Sequence, residues 1–280
     1  LKKVEKNSTV EAMNTKILFL GEIVGKPGIH VIKKGLKAIK EQYHIDFTVA
    51  NAEGATNGFG IGHVHAIQLI KSGIDLITTG EKTYFKKDMV ESIATNSKII
   101  RPANFPHASP GRGYKIVEIN GKRLAFITLL GTAEFSRISV SNPFIIINSL
   151  IEKLKGETDA IFLQYHASTT AEKNTMAFHV DGRVVAMIGT HTKVLTSDAR
   201  LLALSTAMIT DNGMCGSISG VGGFEAKNEI TRFITQVPSR SMENWGILEA
   251  QGVIVELDEN SKAISIETIK YTIESPEKKD

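Results

Sequence analysis

Ile17-Leu-Phe-Leu-Gly-Glu-Ile-Val-Gly25 is the stretch on which the fold is read. Four consecutive apolar residues, Ile17 to Leu20, describe a short strand covered on both faces, because a strand with one wet face would alternate. Gly21-Glu22 ends the run with a charge. Pro27-Gly28 then opens a segment of helical apolar spacing that reaches Tyr43. The same order recurs downstream. Phe47-Thr-Val-Ala50 is a second strand followed by Asn51-Ala-Glu53, and the amphipathic run His63 to Lys71 stops at Ser72-Gly73. Leu76-Ile-Thr-Thr79 is a third strand, with Gly80-Glu81-Lys82 behind it and a helix around Lys86 to Ala94. Strands alternating with helices predict an α/β fold.

The middle of the chain changes character. Tyr114 to Ile119 and Arg123 to Leu129 flank Asn120-Gly121, a strong hairpin signal. Asn142-Pro143 opens a helix to Lys155, and Ala160 to Tyr165 and Val184 to Ile188 are again short buried strands. Gly252 to Leu257 and Ala263 to Ile269 flank a turn at Asp258-Glu-Asn-Ser261, which predicts a closing hairpin. The pattern predicts a flexible N-terminal extension (residues 1–12), one domain of two packed sheets (residues 13–273) and a charged tail (residues 274–280).

Composition sets outer limits. Of 280 residues, 33 are Lys or Arg and 30 Asp or Glu, so the net charge of +3 predicts no general affinity for nucleic acid. A single cysteine, Cys215, excludes an intrachain disulfide and suits a reducing compartment. No apolar run reaches the roughly 20 residues of a membrane span. Leu1 to Ala12 has no apolar centre of the kind a secretory leader carries. The expectation is a cytoplasmic protein without membrane contact.

The chemistry-bearing residues fall at strand ends: Glu22, Glu53, Glu81-Lys82, His166, and His191 with Lys193. In open α/β sheets, ligands bind at the carboxyl ends of strands. Any one of these groups alone reads as a solvated loop charge, but five such ends can converge on one cleft.

Several motifs together resemble a known family. They are Gly21-Glu-Ile-Val-Gly25, Asn51-Ala-Glu-Gly54, Thr79-Gly-Glu-Lys-Thr83 and Arg101-Pro-Ala-Asn-Phe-Pro106, then His166 to Lys173, Asp181-Gly182, Gly189-Thr-His-Thr-Lys193 and Thr210-Asp-Asn-Gly-Met214. From about Met13 to Ile273 the chain resembles the YmdB-like cyclic-nucleotide phosphodiesterases of the bacterial calcineurin-like metallophosphoesterases. The resemblance implies a sandwich of two mixed β-sheets flanked by helices. It also implies a carboxylate, asparagine and histidine cage around two metal ions that split phosphodiesters.

Departures from that pattern fall on the cage itself. Against the family, Glu22 stands for an aspartate and Gly54 for an asparagine. Gly80-Glu81-Lys82 replaces Gly-Asn-His, so Lys82 holds the place of the catalytic histidine. Lys193 replaces the second histidine of His-x-His, and Ser168 replaces a glutamate. An ammonium has three donors and no lone pair, and unperturbed lysine deprotonates only near pH ~10.4. Glu22, Gly54 and Lys193 therefore form a degenerate first metal site, and no catalytic residue is assigned. The implied second site, Glu53, Glu81, His166 and His191, suits one divalent transition ion (manganese, iron or zinc) or none. Lys82 and Lys193 are expected to pair with the three glutamates in place of the first ion, or to bind phosphate.

The leading expectation is a degenerate phosphodiesterase fold, a pseudoenzyme that has lost efficient two-metal catalysis and serves a binding, structural or assembly role. Its partners would be a second copy, another protein, or a nucleotide or phosphodiester ligand. The alternative is a phosphodiesterase working with one ion or an altered ion. The remaining histidines, His30, His44, His63, His65, His107 and His179, read as structural, and Cys215 as a buried small hydrophobe. Trp245 and Phe233 read as packing residues. Gly21, Gly25 and Gly28 have the wrong spacing for a dinucleotide loop.

Overall fold

The computed structural model describes residues 14–135 and 138–275. The expected extension, and residues 276–280 of the expected tail, lie outside the described residues. The chain begins with β1 (Thr15–Leu20), β2 (Glu22–Ile23), α1 (Gly25–Tyr43), β3 (Phe47–Asn51), α2 (His63–Lys71), β4 (Leu76–Thr78), α3 (Lys87–Thr95) and β5 (Ile99–Ile100). It continues with β6 (Tyr114–Ile119), β7 (Lys122–Leu130), α4 (Pro143–Leu154), β8 (Ala160–His166), α5 (Thr170–His179) and β9 (Ala186–Thr190). The last part is β10 (Arg200–Leu201), β11 (Ala207–Ile209), β12 (Met214–Ser217), α6 (Ala226–Thr235), β13 (Leu248–Leu257) and β14 (Ala263–Ile273).

Two mixed sheets result. The eight-stranded one runs β2-β12-β13-β1-β3-β4-β5, with β14 paired to β13; the six-stranded one runs β10-β11-β9-β8-β7-β6. One edge of β13 is shared, its first residues pairing with β12 and Gly252 to Leu257 pairing with β1. The strands that carry chemistry are parallel within each sheet: β1, β3 and β4 in one, β7, β8 and β9 in the other.

The continuous apolar runs are explained by burial on both faces. Along β1, Ile17 and Phe19 point between the sheets, while Leu18 and Leu20 point outward to Val31, Ile32 and Leu36 of α1. The interior between the sheets is organised by rings. Phe126 stacks on Phe162 with centroids 5.0 Å apart and on Phe47 at 5.1 Å, and Phe19 lies 5.5 Å from Phe162. A separate core under α4 and α5 gathers Ile127, Leu129, Ile147, Leu163 and Met176. Each sheet is thus packed on both sides, giving helix, sheet, sheet and helix layers.

Local chemistry places the turns as expected. Asn120 and Gly121 both have positive φ, 52° and 75°, and close the β6–β7 hairpin. The Asn142 side chain accepts from Phe144 N at 2.9 Å, with Pro143 at the first helical position, so α4 starts where the sequence predicts. The closing hairpin is longer than expected, because β13 begins at Leu248 and β14 continues to Ile273. Phe233 overturns its expectation: it is 73% exposed on α6 and packs no core. Among the described residues, no helix is long and apolar enough to cross a membrane.

One buried ion pair ties the layers together beside the strand ends. Lys173 Nζ of α5 lies 2.8 Å from Asp211 Oδ2, and both side chains are fully buried. Asp211 also accepts from the backbone N–H groups of Thr192 and Gly213. Replacing Lys173 by alanine leaves a buried carboxylate without its cation and is expected to cost about 3–5 kcal/mol. Urea unfolding checks this, and a loss under about 1 kcal/mol would show the pair to be dispensable.

Candidate metal and anion site

The carboxyl ends of β1, β3, β4, β8 and β9 deliver their polar residues to one place. Register sets this up: Leu130, His166 and Thr190 are aligned across β7, β8 and β9, as Asn51 and Thr78 are across β3 and β4. The two sheets meet there through side chains. Asn212 donates from Nδ2 to Phe19 O at 3.1 Å, and Asn51 Nδ2 lies 3.5 Å from His166 Nδ1.

Glu81 is the hub. Its Oε2 lies 2.7 Å from His166 Nε2 and 3.8 Å from His191 Nδ1, and its Oε1 lies 3.2 Å from Lys82 Nζ. Ligand atoms of Glu81, His166 and His191 all fall within 4.8 Å of one another. Glu53 is turned differently. Its carboxylate accepts from Gly80 N at 2.5 Å and from Lys82 N, so it is occupied in fixing the loop after β4.

Glu22 lies in β2 rather than in a loop, opposite Met214 of β12, and is 1% exposed. Among the described residues, neither of its oxygens has a hydrogen-bond partner. Its charge is instead met by Lys193, whose Nζ stands 3.4 Å from Glu22 Oε1. At an effective dielectric of about 20, a pair at that distance attracts by roughly 5 kcal/mol. The lysine expected to face the first-site glutamates therefore does face Glu22.

Gly54 explains how the Glu22 carboxylate fits. A Cβ placed on Gly54 would come 2.6 Å from Glu22 Oε1 and 3.1 Å from Ile23 O. The length of the Glu22 side chain and the lack of one at Gly54 are two halves of one packing solution. The chain that presents Lys193 is itself held in an uncommon conformation, with φ of 103° at His191 and 61° at Lys193.

The protonation pattern follows from this crowding. Burial and the neighbouring Glu81 carboxylate push Glu53 up to about 8, against the pull of His166 and Lys82. Burial alone would raise Glu81, but His166, Lys82 and His191 overcome it and hold its carboxyl far below the usual range. Burial works against a charged His166, yet its ion pair with Glu81 raises it. His191 is pushed down to about 3 by burial and by charged His166. Lys82 is raised despite burial, because Glu22, Glu81 and Glu53 all face its ammonium.

Residues 18–269 match the family model described as YmdB-like protein. The chain belongs to the YmdB-like family. It is 38% identical over 255 residues to a 2',3'-cyclic-nucleotide 2'-phosphodiesterase of Bacillus subtilis (strain 168), covering 91% of this chain and 96% of that protein. Among solved structures, it resembles a novel phosphatase from Mycoplasma pneumoniae with a TM-score of 0.88 at 32% identity, covering 95% of this chain and 96% of that one. A hypothetical protein from Thermus thermophilus gives a TM-score of 0.86 at 28% identity, covering 94% and 100%. The architecture of this YmdB-like protein is the calcineurin-like sandwich of two mixed sheets flanked by helices.

Other parts of the YmdB-like motifs turn out to be scaffold. Arg101 donates to the carbonyls of Pro102, Ser109 and Pro110, and Asn104 clamps Leu130 at the end of β7 through both its amide groups. Lys173 and Asp211 lie within quoted motifs, but nothing in their spacing announces a buried pair. Phe135 was also missed: it stacks at 6.3 Å on His166 and meets His191 edge-on at 5.1 Å. No periodicity marks it, since it sits in the loop after β7. Cys215 is buried in β12, where burial pushes its thiol up to about 12. A cavity of about 550 Å³ lies elsewhere, at the start of β8 beside Lys155, Arg183 and Lys262.

The Glu22–Gly54 packing makes a double-mutant prediction. Gly54→Ala alone is expected to destabilise the fold by about 1–3 kcal/mol through overpacking. Adding Glu22→Asp to Gly54→Ala should recover part of that loss, a favourable coupling readable by denaturant unfolding. Strict additivity would separate the two positions.

Proposed function

We propose that this YmdB-like protein holds lysine ammoniums in the volume of a first metal ion, has lost efficient two-metal hydrolysis, and serves as a binding protein for a nucleotide or phosphodiester. A structural or assembly role, through a second copy or another protein, is compatible with that reading. The observation that carries it is Lys193 Nζ at 3.4 Å from the buried, otherwise unpartnered Glu22 carboxylate. A divalent ion there would face an ammonium at close range, and Gly54 offers no ligand. The residues of the first position do not fit a metal.

The relatives pull the other way, because the Bacillus subtilis protein is named as a phosphodiesterase. What this chain retains from such chemistry is a cleft with cations at its mouth. Lys82 and Lys193 are 18% and 20% exposed at their side chains, so both ammoniums reach an incoming anion. Lysine binds phosphate as a point charge without needing the planar fork of arginine.

Two experiments test the proposal. Incubation with 2',3'-cyclic AMP and manganese should give no turnover above the buffer rate; hydrolysis at ordinary enzymatic rates, about 1 per second or faster, overturns it. Lys193→Asn keeps a residue type that accepts positive φ and removes the ammonium beside Glu22. Its melting temperature should fall in chelator and rise on adding manganese by more than that of the parent chain. An equal response in both proteins would show that the lysine does not stand in for an ion.

A second reading has its own support in the Glu81, His166 and His191 cluster. Two histidines and a carboxylate suit one transition ion with an open position. Such an ion, when bound, supplies Lewis-acid polarisation of a phosphoryl oxygen. Elemental analysis should then find one transition ion per chain, lost in His166→Ala and His191→Ala. Metal-free protein from cells grown with ample manganese, iron and zinc would remove this reading.

A further inference from the structure

Phe59 is a half-exposed phenyl ring on the loop that follows Glu53, with 50% of its surface in solvent. What sets this ring apart is that it is exposed beside the strand-end cleft, on a loop whose backbone is pinned. The loop is not free to hide it. Thr56 N donates to Gly60 O at 2.9 Å, Gly58 N to Gly54 O at 2.9 Å, and Gly60 N to Glu53 O at 2.7 Å. Asn57, Gly58 and Gly60 all have positive φ, at 56°, 79° and 75°. A Cβ on Gly58 would come 2.5 Å from the Phe224 ring, and one on Gly60 would come 2.7 Å from Lys82 O. The turn is thus wedged between Phe224 and the backbone of the Lys82 loop, and Phe59 is presented at the cleft mouth.

Its neighbour is the anion-binding candidate itself. Lys82 Nζ lies over the Phe59 ring, 5.9 Å from its centroid, which leaves the opposite face of the ring for a base. Phe85, 58% exposed, stands on the other side of the same loop contact, its Cβ 3.5 Å from where a Gly60 side chain would begin. A cation beside a pinned, water-exposed aromatic matches a ligand that carries an anion and a flat ring at comparable separation. A nucleoside phosphate has that form. Aromatic side chains hold bases through their π-faces with little regard to sequence.

We propose that Phe59 is a stacking platform for the base of a nucleotide whose phosphate is held at Lys82. The inference rests on the anion-binding reading of the cleft and adds the part of the ligand that reading leaves open.

Calorimetric titration with adenosine 5'-monophosphate and with ribose 5-phosphate separates the two. The parent chain should bind the nucleotide more tightly than the sugar phosphate. Phe59→Ala should weaken nucleotide binding about tenfold or more and leave ribose 5-phosphate unchanged. Phe59→Trp should keep nucleotide binding, and its fluorescence should be quenched as the nucleotide is added. The second variant keeps the test open should Phe59→Ala fold poorly. Equal affinity of the parent chain for both probes, an unchanged Phe59→Ala, or equal loss of both probes would overturn the stacking role alone. Failure of the parent chain to bind either probe would overturn the anion-binding reading and this inference with it.

Discussion

Buried negative charge is the constraint on which the strand-end cleft is built. Glu22 and Glu53 are each 1% exposed, and Glu81 is only slightly more open. Carboxylates removed from water cost several kcal/mol apiece unless a cation or donors replace the lost hydration. Glu53 answers the cost by holding its proton up to about pH 8 while two backbone N–H groups fix its place; Glu81 is met by His166 and Lys82, and Glu22 by Lys193. Every positive group in the cleft can be traced to one of these needs. Asp211 answers the same constraint one layer away, where Lys173 supplies the charge without any access to solvent.

The geometry of the Glu22–Lys193 pair depends on small differences in length. A carboxylate on Glu22 reaches Lys193 because nothing projects from Gly54 into its path. Lys193 reaches back because its backbone adopts positive φ two residues after His191, which also has positive φ. Neither feature is useful alone: a long carboxylate without the gap would clash, and a lysine without the carboxylate would turn to water. Residues 22, 54 and 193 therefore form one packing and charge solution, distributed over three segments that only the fold brings together.

The core strands were legible, though not their order in the sheets, because strands buried on both faces leave continuous apolar runs, as Ile17 to Leu20 and Ala160 to Tyr165 do. Hairpins and helix starts were legible where one residue type has a strong conformational reason, as at Asn120-Gly121 and Asn142-Pro143. β2, β5 and β10 escaped notice because two residues carry no period. α5 escaped because its exposed face of Thr, Glu and Asn hides Met176 and Ala177, and its buried Lys173 reads as surface. Phe233 was misjudged because an aromatic residue in a helical pattern gives no sign of which face the rest of the chain leaves uncovered. In the site, polar residues at strand ends were visible one by one. Their partners were not, since Lys193 and Glu22 are 171 positions apart in the numbering and meet only through β9, β12 and β2.

The fold and the identity of the cation are separable. Parallel strands from two sheets aim their carboxyl ends at one place whatever the side chains are, so the architecture gathers charge without specifying what balances it. The balance is decided by whether each end carries a lone pair or an ammonium. His166 and His191 can each offer a nitrogen lone pair near Glu81 once unprotonated, whereas Lys82 and Lys193 bring fixed positive charge to Glu81 and Glu22. An ammonium tethered to the chain neutralises a carboxylate as a metal would, but it cannot share ligands with an incoming phosphoryl group or activate water. The same strand ends can thus be balanced by lone-pair donors or by tethered ammoniums without any change in the sheets that present them.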